Sequence, residues 1–232
     1  MNNPKSNIGH LFDHIAKHYD TLNHLLSLNV DKHWRRQAVR SLPDSAGLCL
    51  DVATGTGDLA IAIIRSGKAA KVIGVDLSEN MMKIGEAKVA DAGLSSQITF
   101  RKEDCANLPF ASETFDVVTC SYGVRNFAEL EKSLSEMYRV LVPGGELRIL
   151  EFAYPSNIFM RAMYDLYFSH ILPLIGWGVS HDHTAYNYLP HSVKGFMWGN
   201  DFVARLRSAG FENASFTSQT FGISMLYKAN KK

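Results

Sequence analysis

Between residues 48 and 152, short apolar runs alternate with amphipathic stretches, and this alternation limits the possible folds more than any other feature. The runs are 48–53, 71–76, 98–103, 115–121 and 146–152, with helical patterns at 58–66, 79–92 and 128–141. Strands that alternate with helices predict a parallel sheet with helices on both faces. Ahead of it, residues 8–41 carry Leu11, Phe12, Ile15, Leu22, Leu25, Leu26, Trp34 and Val39 at roughly helical spacing, and Pro43 stops the run. After residue 152 the pattern changes. Residues 155–200 are rich in aromatics, His and Met and give no clean strand; a helix is expected over 200–209 and strands over 213–219 and 222–229. The expectation is one α/β domain, 1–232, with a mostly parallel seven-stranded sheet ending in an antiparallel hairpin. A helical lead, 1–46, precedes it, and a segment inserted at 155–198 caps the substrate side.

Composition narrows the class. Apolar residues make up 46% of the chain and charged residues 20%, as in an ordinary soluble globule. Net charge is +1 and no run of Lys or Arg exceeds two, so no nucleic-acid partner is expected. Cys49, Cys105 and Cys120 form no CxxC pair and fit reduced thiols of a cytoplasmic protein. The start of the chain lacks the apolar core of a signal peptide. The longest apolar stretch, 163–179, contains Asp165, His170 and Pro173 and is too short to span a bilayer comfortably.

Residues 51–58 read DVATGTGD, an apolar strand entering a glycine turn from which a helix leaves. Such a turn sets a ligand at the N-terminus of the helix, and Gly55 and Gly57 permit close approach to backbone. Alone the motif also fits a purely structural turn. Nineteen residues after Gly57 stands Asp76, at the end of the second strand. A carboxylate there can accept both hydroxyls of a ribose diol; the competing role is capping the next helix, for which Ser78 is already available. Asp104-Cys105 follows the third strand and could read an adenine edge, or be a solvated loop. Ser121, Tyr122 and Arg125 leave the carboxyl end of the fourth strand, where ligands of doubly wound sheets bind. No GxxxxGK[ST] phosphate loop exists.

These elements in this order resemble class I methyltransferases that use S-adenosylmethionine, with a Rossmann-like fold. More closely, the chain is similar to the ubiquinone/menaquinone biosynthesis C-methyltransferase family. The residues that carry the likeness are YDTLNHLLSLNVDKHWRR, DVATGTGDLA, SYGVRN, YRVLVPGGELRILEF and AYNYLPHS, spread over residues 19–192. The resemblance implies S-adenosylmethionine as cofactor, with Gly55, Thr56, Gly57, Asp76, Asp104, Cys105 and Ser121 at cofactor-binding positions. Two departures stand out: the family's Gly-x-His reads Asn29-Val30-Asp31 here, and Ala53 replaces the first glycine of the loop. Alanine is small, so little damage is expected.

The family methylates a ring carbon of a reduced prenylated quinone, which implies demethylmenaquinol or the equivalent benzoquinol as substrate. A phenol of pKa about 10 is ionised to about one part in a thousand at pH 7, so the site must favour the phenolate. Arg125 is expected to stabilise it and Tyr19 to hydrogen-bond the quinol oxygen, with Tyr186 and Tyr188 on the substrate side. The His181-Asp182-His183 run is discounted as a metal site, because sulfonium methyl transfer needs none. A substrate of the bilayer implies transient contact with the membrane surface, and a homodimer is a further open expectation. The competing readings are methylation of another phenol or sterol-like lipid, a cofactor-binding scaffold without turnover, and a nucleic-acid methyltransferase. The last commonly carries Asn/Asp-Pro-Pro-aromatic where this chain has Ser121-Tyr122-Gly123-Val124.

Overall fold

The computed structural model describes Asp13, Ala16, Ser27, residues 29–167 and residues 190–232. In chain order the elements are α1 (Val30–Arg40), β1 (Ala46–Val52), α2 (Asp58–Arg65), β2 (Ala69–Asp76), α3 (Glu79–Asp91), β3 (Ile98–Lys102) and β4 (Phe115–Ser121). There follow α4 (Leu130–Val140), β5 (Leu141–Phe152), α5 (Ile158–Leu166), α6 (Asn200–Ser208), β6 (Glu212–Gln219) and β7 (Ser224–Asn230). One seven-stranded sheet runs β3-β2-β1-β4-β5-β7-β6. The first five strands are parallel; β7 lies antiparallel to β5, and β6 antiparallel to β7. Strand order reverses between β1 and β4, which opens a crevice at their carboxyl ends.

The period of two along each strand feeds two cores. Cys49 and Val117 point to one face, where they meet Leu59, Ile63 and Val89 of α2 and α3 together with Val39 of α1. Leu50 and Val118 point to the other, against Leu134 and Met137 of α4 and Phe202 and Leu206 of α6. Burial on both faces is why β1 and β4 read as nearly unbroken apolar runs. Capping fixes the helix starts beside the crevice: Ser78 Oγ accepts from Met81 N at 3.2 Å at the head of α3.

Three boundaries differ from expectation. Within 8–41, the continuous described helix is Val30–Arg40; most of the earlier positions lie outside the described residues. β5 begins at Leu141, because the strand passes through Pro143-Gly144-Gly145 as a bulge. Phe115 pairs with Leu141 but Val117 with Glu146, and Gly144 takes φ 77°. Residues 158–166 form α5, where no helix was expected.

Candidate active site

Asp51 anchors the glycine turn. It is buried at the end of β1, and its carboxyl oxygens accept from Thr54 Oγ1 and from Thr119 Oγ1 of β4, each at 2.7 Å. Burial pushes its pKa from 3.8 to about 6, against the pull of those two hydroxyls. The chain then passes through left-handed Ala53 (φ 53°), Gly55 (φ 56°) and Gly57 (φ 76°). At Ala53 the departure from glycine therefore costs conformation, which its small size does not relieve. A Cβ on Gly57 would lie 2.7 Å from Phe100 Cζ, so glycine is required there twice over.

Asp76 ends β2 beside this turn. Its carboxylate accepts from Gly55 N at 2.8 Å and Ser78 N at 2.9 Å, and burial still raises its pKa. Asp104 closes a turn by accepting from Ala106 N at 2.9 Å. Cys105 Sγ donates to Ser133 Oγ at 3.3 Å, and burial pushes that thiol up to about 12, so it stays neutral. Gly55, Asp76, Asp104, Cys105 and Ser121 all line one cavity of about 320 Å³, together with Val52, Met81, Tyr122, Asn126 and Glu129. Thr56 and Gly57 are not part of its wall: Thr56 is buried behind the turn, where its hydroxyl accepts from Lys88 Nζ at 3.2 Å. Lys88 also pairs with Asp58.

The opposite wall comes from the loop after β4. Tyr122 holds φ 59°, an outlier for an aromatic residue, and stacks on Phe152 with ring centroids 4.4 Å apart. Trp34 meets the edge of Phe152 at 6.1 Å. Burial raises the Tyr122 phenol well above its ordinary range, which keeps it protonated.

Arg125 sits on the short helical turn that follows, and it is buried. Its guanidinium donates to Glu151 Oε1 at 2.7 Å, to the Tyr122 carbonyl and to Ser192 Oγ at 3.3 Å. Its place is thus beneath the cavity wall, with its charge shared by a buried carboxylate. That differs both from a bare cation facing the ring and from a surface ion pair. Glu151, from the LEF stretch of β5, was assigned no role from sequence; only its position at the end of a buried strand could have marked it. Asp13 is a second such residue, accepting from Ser78 Oγ at 2.6 Å.

The family departure at Asn29 also has a physical account. Asn29 is left-handed, φ 62°, a conformation glycine takes freely and Asn tolerates best among the others. Asp31, at the family's histidine position, is buried and pairs with Arg35 at 2.5 Å. Tyr19, Tyr186, Tyr188 and the His181-Asp182-His183 run lie outside the described residues.

A buried carboxylate at the end of β2, a glycine cradle at the head of α2 and a mostly apolar cavity of this size suit a nucleoside with an aliphatic tail. Together with the strand order they define a class I methyltransferase that uses S-adenosylmethionine. Solved structures agree on the fold: the [4+2]-cyclase SpnF superposes with a TM-score of 0.74 at 17% identity, over 99% of this chain and 97% of that one. A SAM-dependent methyltransferase from Aquifex aeolicus superposes with a TM-score of 0.62 at 16% identity, over 85% and 89%. The chain belongs to the ubiE/COQ5 methyltransferase family, which matches residues 1–231. It is 45% identical over 222 residues to the demethylmenaquinone methyltransferase of Bacteroides fragilis, covering 95% of this chain and 91% of that protein. It is 44% identical to the ubiquinone/menaquinone biosynthesis C-methyltransferase UbiE of Geobacter sulfurreducens, covering 95% and 87%.

Proposed function

We propose that this enzyme methylates a ring carbon of demethylmenaquinol, giving menaquinol. The observation that carries the reading is the similarity, over 95% of the chain, to the Bacteroides fragilis protein named for that substrate. Benzoquinol methylation is the second reading, favoured by the Geobacter sulfurreducens relative, whose name covers both quinones.

S-adenosylmethionine supplies an electrophilic methyl group on a sulfonium. The protein's own task is to hold that group and to present the ring carbon in line with it. Asp76 is proposed to accept the ribose diol, since each of its oxygens keeps a lone pair after its backbone contact. Asp104 and Cys105 are proposed to flank the base, and Gly55 and Ser121 to face the reacting end. Thr56 and Gly57 act on the turn from behind the cavity wall. Arg125 is proposed to set the ring side: it grips the Tyr122 carbonyl and Ser192, and so joins the β4 loop to helical residues 190–194. Tyr19 is proposed to hydrogen-bond the quinol oxygen, and Tyr186 and Tyr188 to face the ring. Positioning of this kind supplies much of the rate in an in-line transfer.

A prenylated quinol resides in the bilayer, so the enzyme must meet it at the membrane surface; no helix among the described residues is long and apolar enough to cross a membrane. Purified enzyme given S-adenosylmethionine and, separately, demethylmenaquinol and the benzoquinol analogue tests the reading. Faster methylation of the naphthoquinol supports it; methylation of the benzoquinol alone would replace it with the second.

A further inference from the structure

We propose that one end of the molecule, formed by α1, the β6–β7 tip and α5, is a docking surface for an anionic lipid bilayer. The proposal rests on the quinol reading, because the prenyl tail is what requires contact with lipid.

α5 turns its apolar side outward. Ile158 is 83% exposed and Phe159 69%, and Met163 and Leu166 follow on the same stripe at helical spacing, also exposed. Its two charged residues flank that stripe and are already engaged: Asp165 accepts from Tyr154 Oη at 2.6 Å and pairs with Lys194 at 2.7 Å, and Arg161 donates to the Pro155 carbonyl at 3.1 Å. A helix of a water-soluble surface has the reverse polarity.

The β6–β7 tip repeats the pattern. Phe221 is 77% exposed and holds a left-handed backbone, φ 56° and ψ 25°. A bulky aromatic in that conformation is a strained choice where glycine would be unstrained, and its ring gains no burial in return. The tip touches both neighbours. Trp34 Nε1 of α1 donates to Thr220 Oγ1 at 2.7 Å, and a Cβ on Gly222 would lie 3.7 Å from Pro155 Cα, just ahead of α5.

On its other flank the tip meets positive charge. Lys32, Arg36 and Arg40 recur every four residues along α1 and are all exposed. Among the described residues none of the three has a carboxylate partner. Arg40 and His33 line a cavity of about 540 Å³ with Lys228 and Thr217–Thr220, and that wall contains no carboxylate. Apolar side chains beside a basic helix face match an anionic bilayer, whose headgroups attract the cations while the rings enter the acyl boundary. A single-stranded nucleic acid could stack bases on Phe159 and Phe221 but would leave the exposed aliphatic stripe of Ile158, Met163 and Leu166 without a role.

Flotation of the purified protein tests this, with vesicles of phosphatidylcholine alone and of equimolar phosphatidylcholine and phosphatidylglycerol. Each cation near an anionic bilayer strengthens binding about fivefold. The wild type is expected to prefer the mixed vesicles, and the Arg36→Glu, Arg40→Glu double variant to lose that preference by about tenfold or more. Phe221→Gly, which relieves the strained tip while removing the ring, and Phe159→Ser are expected to weaken binding to both vesicles. Unchanged cofactor affinity, with a melting temperature no lower than wild type and raised in Phe221→Gly if the strain is real, shows that the variants are folded. Equal wild-type binding to both vesicles, variants that float like wild type, or displacement by single-stranded RNA well below the lipid concentration would overturn the proposal. Flotation needs no turnover. An enzyme that methylates detergent-dispersed demethylmenaquinol but does not float refutes the docking alone; one that floats as predicted but methylates no quinol supports the docking and refutes the substrate reading.

Discussion

Asp51 is a carboxylic acid set into the interior by two hydroxyls. Its folded pKa of about 6 lies above its ordinary 3.8, so folding favours the protonated acid. That contribution is complete below about pH 4 and is lost as pH rises toward 6, roughly 3 kcal/mol in all. Other carboxylates titrate in the same range, so the comparison must be with Asp51→Asn: urea unfolding from pH 4 to 7 should show the wild type losing stability relative to the variant. Parallel curves would remove the assignment. For Asp76, replacement by Asn keeps one acceptor, so one of the two backbone N–H groups at Gly55 and Ser78 loses its partner. If it holds a ribose diol, Asp76→Asn should weaken S-adenosylhomocysteine binding by about tenfold to a hundredfold in calorimetry, while the fold survives a loss of about 1–3 kcal/mol from the unpaired backbone N–H. Arg125 behaves differently. Removing it strands the buried Glu151, so Arg125→Ala should cost about 3–5 kcal/mol in urea unfolding, and adding Glu151→Gln should recover a substantial part. Arg125→Lys keeps the charge but loses the planar fork that reaches Glu151, Tyr122 and Ser192 together; we expect a folded enzyme whose kcat falls more than its cofactor affinity. Unchanged kcat would leave Arg125 a purely structural residue.

At the scale of elements, the β1 turn and the β4 loop meet where Gly123 packs against the Ala53 methyl. A Cβ on Gly123 would lie 2.5 Å from Ala53 Cβ and 2.9 Å from Cys120 Sγ, while its own φ of −106° suits any residue. Gly123→Ala therefore tests packing alone, and should cost about 1–3 kcal/mol in denaturant while lowering cofactor affinity. An unaltered midpoint would mean that the two loops stand further apart. Sequence reading found the sheet because strands buried on both faces leave unmistakable apolar runs, and it found Asp76 and Ser121 because strand ends fix which residues face the crevice. It missed what depends on distant partners. β5 runs through Pro143-Gly144-Gly145 only because β4 and Lys231 hold the bulge, Gly144 N donating to the Lys231 carbonyl at 3.1 Å. The α5 helix escaped notice because it is only nine residues long and apolar at nearly every position, IFMRAMYDL, so its helical period is blurred within an aromatic- and Met-rich segment. Counting runs of Lys and Arg likewise overlooked a basic stripe spaced every four residues on α1. Arg125 was expected at the crevice mouth, and no local signal announces that Glu151, 26 residues away, claims its guanidinium.

The whole molecule separates what a fold decides from what a site decides. A cyclase shares this architecture with a TM-score of 0.74, so the sheet and its crevice specify where a ligand lies and leave the reaction open. Family membership across residues 1–231 makes the chain a methyltransferase, and the crevice supplies the means to hold the cofactor. The central claim is then the transfer itself. Enzyme incubated with S-adenosylmethionine carrying a deuterated methyl group and with demethylmenaquinol, followed by mass spectrometry of the extracted quinone, tests it most directly. The account predicts one labelled methyl on the ring carbon, with the rate sharply reduced in Asp76→Asn at limiting cofactor. Unlabelled demethylmenaquinone, from a folded enzyme that calorimetry shows to be saturated with cofactor, would contradict it.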